Sequence, residues 1–175
     1  MNAGVALTHL IHAGWVRNIL MSTLAFDIAQ FFSLLNYCLL PLILEKVGFD
    51  SKISIFFQDY LVGRKTKYLW NSFLTSSSNI DVGVRQGSAL SPILFALYLS
   101  PIFYIFEKEL KNPKALISIP FFVDNELFVA QDKSLTVLNS HLFCSYHIMS
   151  SLLKQFGLVI EHGKTEVFYF SRLHR

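Results

Sequence analysis

Two acidic residues stand where an apolar strand would end: Asp27 closes "MSTLAFD", and Asp124 interrupts "IPFFVDNELFVA" in the last third of the chain. A two-metal phosphoryl-transfer centre needs carboxylates at the ends of rigid strands. Two divalent ions about 3.5 to 4 Å apart must share ligands that stay still while attacking and leaving oxygens align. Asp27 alone would read as a helix cap or a surface strand end, and only the pair points to metal-assisted chemistry. His9 and His12, three apart, and His141 and His147 invite a metal reading as well. No cysteine or acid completes a set around them at ligand spacing, so they read as structural or surface histidines.

The elements that must hold these acids follow from pattern. Residues 5 to 20 have helical spacing, and "MSTLAFDIA" reads as a buried strand that delivers Asp27 at its exit. "NYCLLPLILEKVGF" reads as a helix stopped at Gly48. Asp50 or Ser51 can cap a second helix, "KISIFFQDYLVG", ending at Gly63. "TKYLWNSFLTSSSNIDVGV" reads as two strands joined by a serine-rich turn, and "VRQGSALSP" as a strand-to-helix junction in which Ser91 caps and Pro92 opens the first turn. The hairpin of "IPFFVDNELFVA", a helix over 134 to 156 and two short strands turning at Gly163 complete the order. That mixed order predicts an α+β domain, an antiparallel sheet backed by helices, with Asp27 and Asp124 at one end of the sheet.

The chain has 175 residues, enough for one domain with a sizeable core. With 53% hydrophobic residues, 17 Phe and 15% charged residues it is apolar for a soluble protein, so apolar surface is expected to meet a partner or stand exposed. A net charge of +3 permits a phosphate-bearing partner without announcing one. Cys38 and Cys144 form no disulfide framework; they read as core thiols in a reducing, intracellular setting, with nucleus and cytoplasm not distinguished. The first residues carry no cationic leader. Residues 89 to 106 form an uncharged run at the lower length limit for a membrane span, but Pro92 and Pro101 favour a buried helix broken at Pro101.

Four blocks, "LAFDIAQFFSLLN", "VGVRQGSALSPILFALYLS", "FFVDNELFV" and "FGLVIEHGKTEVFYF", occur in the order and approximate spacing of the palm motifs of reverse transcriptases. The chain resembles the non-LTR retrotransposon type from about Met21 to Phe170. The resemblance implies a palm-like sheet of the ferredoxin or RRM kind, with residues 1–20 as a leading helix and 21–175 as the palm-like domain. It implies RNA-directed DNA polymerase activity: two Mg²⁺ or Mn²⁺ ions held by Asp27, Asp124 and the backbone of Ile28, with RNA template, DNA primer and dNTPs as partners. Phe32 matches the aromatic residue beneath the incoming sugar. Gln86 and Gly87 match the turn against the nascent base pair, and Lys164 matches the lysine that helps pyrophosphate leave.

The chain departs from the family at Asn125, where the motif has a second aspartate. An amide oxygen can ligate a hard cation but brings no charge, so metal affinity and turnover should fall. The first acid of the pair, the more direct ligand, is present, and some RNA-virus polymerases carry a similar Asp-Asn pair. Only 26 residues precede Asp27 and five follow Phe170, so most of the fingers and the thumb are expected to be missing or supplied by another chain. The expectation is a retrotransposon polymerase fragment, weakly active or inactive alone. Two alternatives stand beside it: an inactive polymerase-derived module that binds RNA or protein, and a small protein spanning a membrane once.

Overall fold

The computed structural model describes residues 3–85, 87–110, 116–118, 121–122 and 125–171. In chain order the elements are α1 (Ala3–Val16), β1 (Leu20–Asp27), α2 (Phe31–Leu34), α3 (Leu39–Val47) and α4 (Ser51–Leu61), then four short strands, β2 (Arg64–Thr66), β3 (Leu69–Trp70), β4 (Phe73–Leu74) and β5 (Ser78–Ile80). They are followed by α5 (Ser91–Glu109), β6 (Leu116–Ser118), β7 (Phe121–Phe122), β8 (Asn125–Asp132), α6 (Leu135–Gln155), a 3₁₀ turn (His162–Lys164) and β9 (Glu166–Phe170). The chain forms two compact units, Met1–Ala29 with Ile102–Arg175, and Gln30–Pro101.

The first unit is built on an antiparallel sheet of order β6-β8-β1-β9, with β7 also paired to β8. β1 lies between β8, in register from Leu20↔Asp132 to Asp27↔Asn125, and β9, from Met21↔Phe170 to Ala25↔Glu166. Its Met21, Leu24 and Phe26 are buried, as an internal strand requires. α6 packs on β1 and β8, and its buried residues Leu138, Leu142, Ser145, Met149 and Leu152 recur at helical spacing. Ser134 caps α6 by accepting from the Val137 N–H. Phe26 meets Phe128 edge-on at 5.0 Å, and Phe106 stacks on Phe128 at 5.1 Å, an aromatic core under the sheet.

The second unit packs α3 on α4. α3 stops at Gly48 (φ 96°), and Asp50 caps α4 by accepting from the Lys52 N–H at 2.8 Å, as the sequence predicts. Gly83 is the tight point of this unit. Its φ is +77°, its N–H donates to the Leu35 carbonyl at 3.0 Å, and its own carbonyl accepts from the Tyr37 hydroxyl and the Arg64 guanidinium. A β-carbon there would stand 2.6 Å from the Phe32 carbonyl oxygen and 2.7 Å from Ser33 Cα.

Several expectations change. The turn in "TKYLWNSFLTSSSNIDVGV" is not at the serines. It is a two-residue loop, Asn71 (φ 43°) and Ser72 (φ 68°), whose left-handed pair suits the twist of the strands it joins, and the serines run along the returning strand. Helix α5 runs through Pro101 without breaking. Proline has no N–H for the Leu97 carbonyl, and the Ser100 hydroxyl donates to that carbonyl instead at 2.9 Å. Ser91 does not cap; its hydroxyl donates to the Arg85 carbonyl at 2.6 Å. The strand expected before Gly163 is a single bridge, Ile28↔Ile160. Cys38 and Cys144 are exposed, not core thiols. Among the described residues no helix is long and apolar enough to cross a membrane.

Gly83→Ala is expected to cost about 1 to 3 kcal/mol, read as a lower urea midpoint, because strain and clash add. Gly87→Ala has φ +82° but nothing within 4 Å of the new carbon, and should lose only about 1 kcal/mol.

Candidate active site

Asp27 is the last residue of an internal strand, and its backbone is fixed on both sides. Its position pairs with Asn125 on β8, and its carbonyl accepts the Glu161 N–H at 2.8 Å. The Ala29 N–H donates to the Val159 carbonyl at 2.8 Å, so the bridge is centred on Ile28 and Ile160, and the N–H and C=O of Ile28 face away from residues 159–161. That orientation points the Ile28 carbonyl to the hairpin side of β1.

Only 8% of Asp27 is exposed. Its two carboxylate oxygens differ: Oδ2 accepts from Lys164 Nζ at 2.6 Å, while Oδ1 is buried without a hydrogen-bond partner among the described residues. Leaving a carboxylate oxygen dry costs free energy that only a cation or a donor recovers. A hard cation fits that oxygen by charge and by donor type. Among the described residues, no three His, Cys, Asp or Glu side chains cluster as metal ligands.

Lys164 reaches Asp27 from the 3₁₀ turn. The turn is tied to the acid's own backbone, since Glu161 donates to the Asp27 carbonyl and accepts from the Lys164 N–H at 3.1 Å. From α6, the Tyr146 hydroxyl is hydrogen-bonded to His162 Nδ1 at 2.6 Å, and the Tyr146 ring meets Phe26 edge-on at 6.1 Å. No spacing in the sequence marks Tyr146 and His162 as partners; they meet because α6 lies across β1. Lys164 is 68% exposed on its side chain, so the ion pair sits at the water's edge of a buried acid.

The predicted site residues divide between the units. Asp27, Ile28, Lys164 and the backbone of Asn125 come together in the first. Phe32 lies on α2 of the second, its ring 5.7 Å from Phe31 and 5.9 Å from Phe95, and Gly87 lies in an exposed left-handed turn there. Asp124 and Gln86 lie outside the described residues. Glu126, which the sequence places among the hairpin's polar residues, is 1% exposed and pairs with Phe26 across the sheet. It therefore shares the core face with Phe26 and Phe128, the face opposite that of Asp27, and cannot stand in for the acid missing at 125.

Residues 19–172 match the family model "Reverse transcriptase (RNA-dependent DNA polymerase)". No curated protein sequence matches the chain. Among solved structures it is similar to telomerase from Candida tropicalis in complex with a fragment of telomeric RNA, at a TM-score of 0.69 and 14% identity over 95% of this chain and 29% of that one. Telomerase from Candida albicans, likewise with telomeric RNA, gives 0.59 and 18% over 96% and 31%. A chain described as an RdRp complex gives 0.58 and 12% over 94% and 16%. The fold is thus that of polymerase palms, and the chain spans less than a third of the length of each of these neighbours.

An ion pair with one partner this exposed is worth little to stability. A double-mutant cycle of Asp27→Asn and Lys164→Met, followed by urea denaturation, is expected to give a coupling of about 0.2 to 1 kcal/mol that shrinks as salt is raised.

Proposed function

This chain belongs to the reverse transcriptase (RNA-dependent DNA polymerase) family, and we propose from that premise that it supplies the palm of an RNA-directed DNA polymerase of the non-LTR retrotransposon type. The observation that carries the reading is Asp27: a buried carboxylate at the end of an internal strand, with one oxygen on Lys164 and the other without a hydrogen-bond partner among the described residues. A strand end paired on both sides holds a metal ligand still, and burial lowers the local dielectric in which it acts.

Asp27 and Asp124, with the Ile28 carbonyl, are the groups that would hold two Mg²⁺ or Mn²⁺ ions. Bound there, the ions would supply a lowered pKa at the primer 3′-hydroxyl and charge neutralisation at the α-phosphate of the dNTP. The chain's own residues do the rest. Lys164 leaves Oδ2 at small cost, because its side chain is mostly in water, and presents its ammonium to the departing pyrophosphate. By the family resemblance, Phe32 would match the residue beneath the incoming sugar that disfavours a 2′-hydroxyl, and Gln86 and Gly87 the turn against the nascent base pair. The grip on RNA template and DNA primer is completed by fingers and thumb segments of a longer chain or by another chain.

Asn125 favours a second reading, a polymerase-derived module that binds without catalysis. Position 125 is the direct cross-strand partner of Asp27, so the charge is lost where the register brings the two strands together.

Purified 1–175 is expected to give weak, Mn²⁺-dependent primer extension on an RNA template, reduced to background by Asp27→Asn. Asn125→Asp should tighten Mn²⁺ binding about tenfold and raise extension with it. Metal binding that is indifferent to both substitutions would decide for the binding module.

A further inference from the structure

The ion pair at Asp27 is weak by itself, so its geometry depends on what aims Lys164. The lysine side chain is 68% exposed, and an exposed pair returns no more than the rotamer freedom that a long side chain gives up to make it. Its aim is therefore set by the backbone that carries it, the 3₁₀ turn at His162–Lys164. That turn is anchored where the Glu161 N–H donates to the Asp27 carbonyl. It is closed by bonds from the Lys164 N–H to the Glu161 carbonyl at 3.1 Å and from the Thr165 N–H to the His162 carbonyl at 3.2 Å. Bonds within the turn fix its shape but do little to stop it rotating about its own axis, and such a rotation would swing the ammonium off the acid.

Tyr146 on α6 supplies that hold. Its hydroxyl is hydrogen-bonded to His162 Nδ1 at 2.6 Å, and its ring meets Phe26, the residue before the acid, edge-on at 6.1 Å. One side chain of α6 thus touches the neighbours of both members of the ion pair. Successive residues of a 3₁₀ turn are about 120° apart, so His162 and Lys164 project from different sides of it, and a histidine fixed on α6 sets the direction of the lysine. The Tyr146 ring has a firm footing, because Phe26 is buried and packs edge-on against Phe128 at 5.0 Å. Two helical turns earlier, on the same side of α6, Asn139 Oδ1 accepts from the Tyr169 hydroxyl at 3.0 Å. The helix therefore holds the turn at His162 and the strand that follows it, β9, at Tyr169.

We propose that Tyr146 and His162 are positioning residues that aim Lys164, an inference that rests on reading Lys164 as the partner of the departing pyrophosphate. Their role is indirect. Tyr146 holds the imidazole, the imidazole holds the turn, and the turn delivers the ammonium, to Asp27 Oδ2 at rest and to the leaving anion in the reaction. The contact is made through Nδ1, the ring nitrogen nearer the backbone, so it fixes a short distance between helix and turn. Asparagine can present its amide at that position, with a donor and an acceptor to offer the hydroxyl, whereas alanine offers nothing.

The first test needs no turnover. The full 175-residue chain, carbon-13 labelled at lysine Cε, is compared by NMR with Tyr146→Phe, which keeps the ring on Phe26 and drops the hydroxyl, and with His162→Ala and His162→Asn. A held Lys164 gives separate signals for its two Hε protons, assigned by their disappearance in Lys164→Arg. They should merge in Tyr146→Phe and in His162→Ala and stay apart in His162→Asn, while the signals of Lys52, on the second unit, do not move. In Mn²⁺-dependent primer extension, Tyr146→Phe should lower kcat about twofold to tenfold, the worth of one hydrogen bond, with KM for dNTP unchanged. In a Lys164→Met background it should cost nothing further. The proposal is overturned by merged Hε signals in the parent chain, by separate signals in Tyr146→Phe, by His162→Asn behaving as His162→Ala does, or by an equal loss of kcat with and without Lys164. Absence of extension from every chain, the parent included, counts against the polymerase reading alone, and the Hε signals then decide whether Tyr146 and His162 aim the lysine.

Discussion

Pairing of β1 on both edges is the constraint from which the first unit follows. β8 and β9 hold the strand in two continuous registers, and beyond Asp27 the bonds from Glu161 and Ala29 extend the grip past the strand's formal end. An acid at the end of an edge strand would move with that edge and would be solvated on one side. Here the backbone on either side of the carboxylate cannot shift without breaking hydrogen bonds to two neighbours, and α6 covers the face beneath it. The sheet order places the acid, and the aromatic stack of Phe26, Phe128 and Phe106 keeps the sheet from sliding against its helices.

The same pairing explains why the lysine belongs to the acid. Residues 161–165 form one turn whose first member bonds the Asp27 carbonyl, so main chain and side chain of Asp27 are served by one short segment. The ammonium cancels part of the charge of a buried carboxylate, which lowers the cost of keeping it there. Because the lysine stem is in water, this compensation is reversible: a cation at the carboxylate can take over the role while the ammonium turns to an anion nearby. Burial makes the acid strong as a ligand, and exposure makes the lysine easy to release.

What the sequence made legible was what local chemistry decides. Asp27 at a strand's exit, Gly48 as a helix stop and Asp50 as a cap each follow from one residue and its neighbours, and each is found in place. Other features resisted because they depend on a choice among equals, on rescue by a neighbouring side chain or on contacts between distant segments. Asn71-Ser72 and the serines at 76–78 are both good turn formers, and the pairing of Trp70 with Phe73 selects the first. Pro101 should break a helix, unless a hydroxyl one residue earlier takes over the orphaned carbonyl, as Ser100 does. Tyr146 and His162 carry no signal at all until α6 crosses the sheet.

Each unit buries part of the aromatic excess of this sequence and leaves part of it in water. In the first, Phe26, Phe106 and Phe128 are buried while Phe143, Phe168 and Tyr169 are exposed, and Asp27 and Glu126 are the buried carboxylates among the described residues. In the second, Phe31, Phe95 and Tyr98 are buried, while Tyr68, Trp70 and Phe73 stand in water beside the Asn71-Ser72 turn. Asn125 leaves the sheet intact, since its pairing with Asp27 is made by backbone alone.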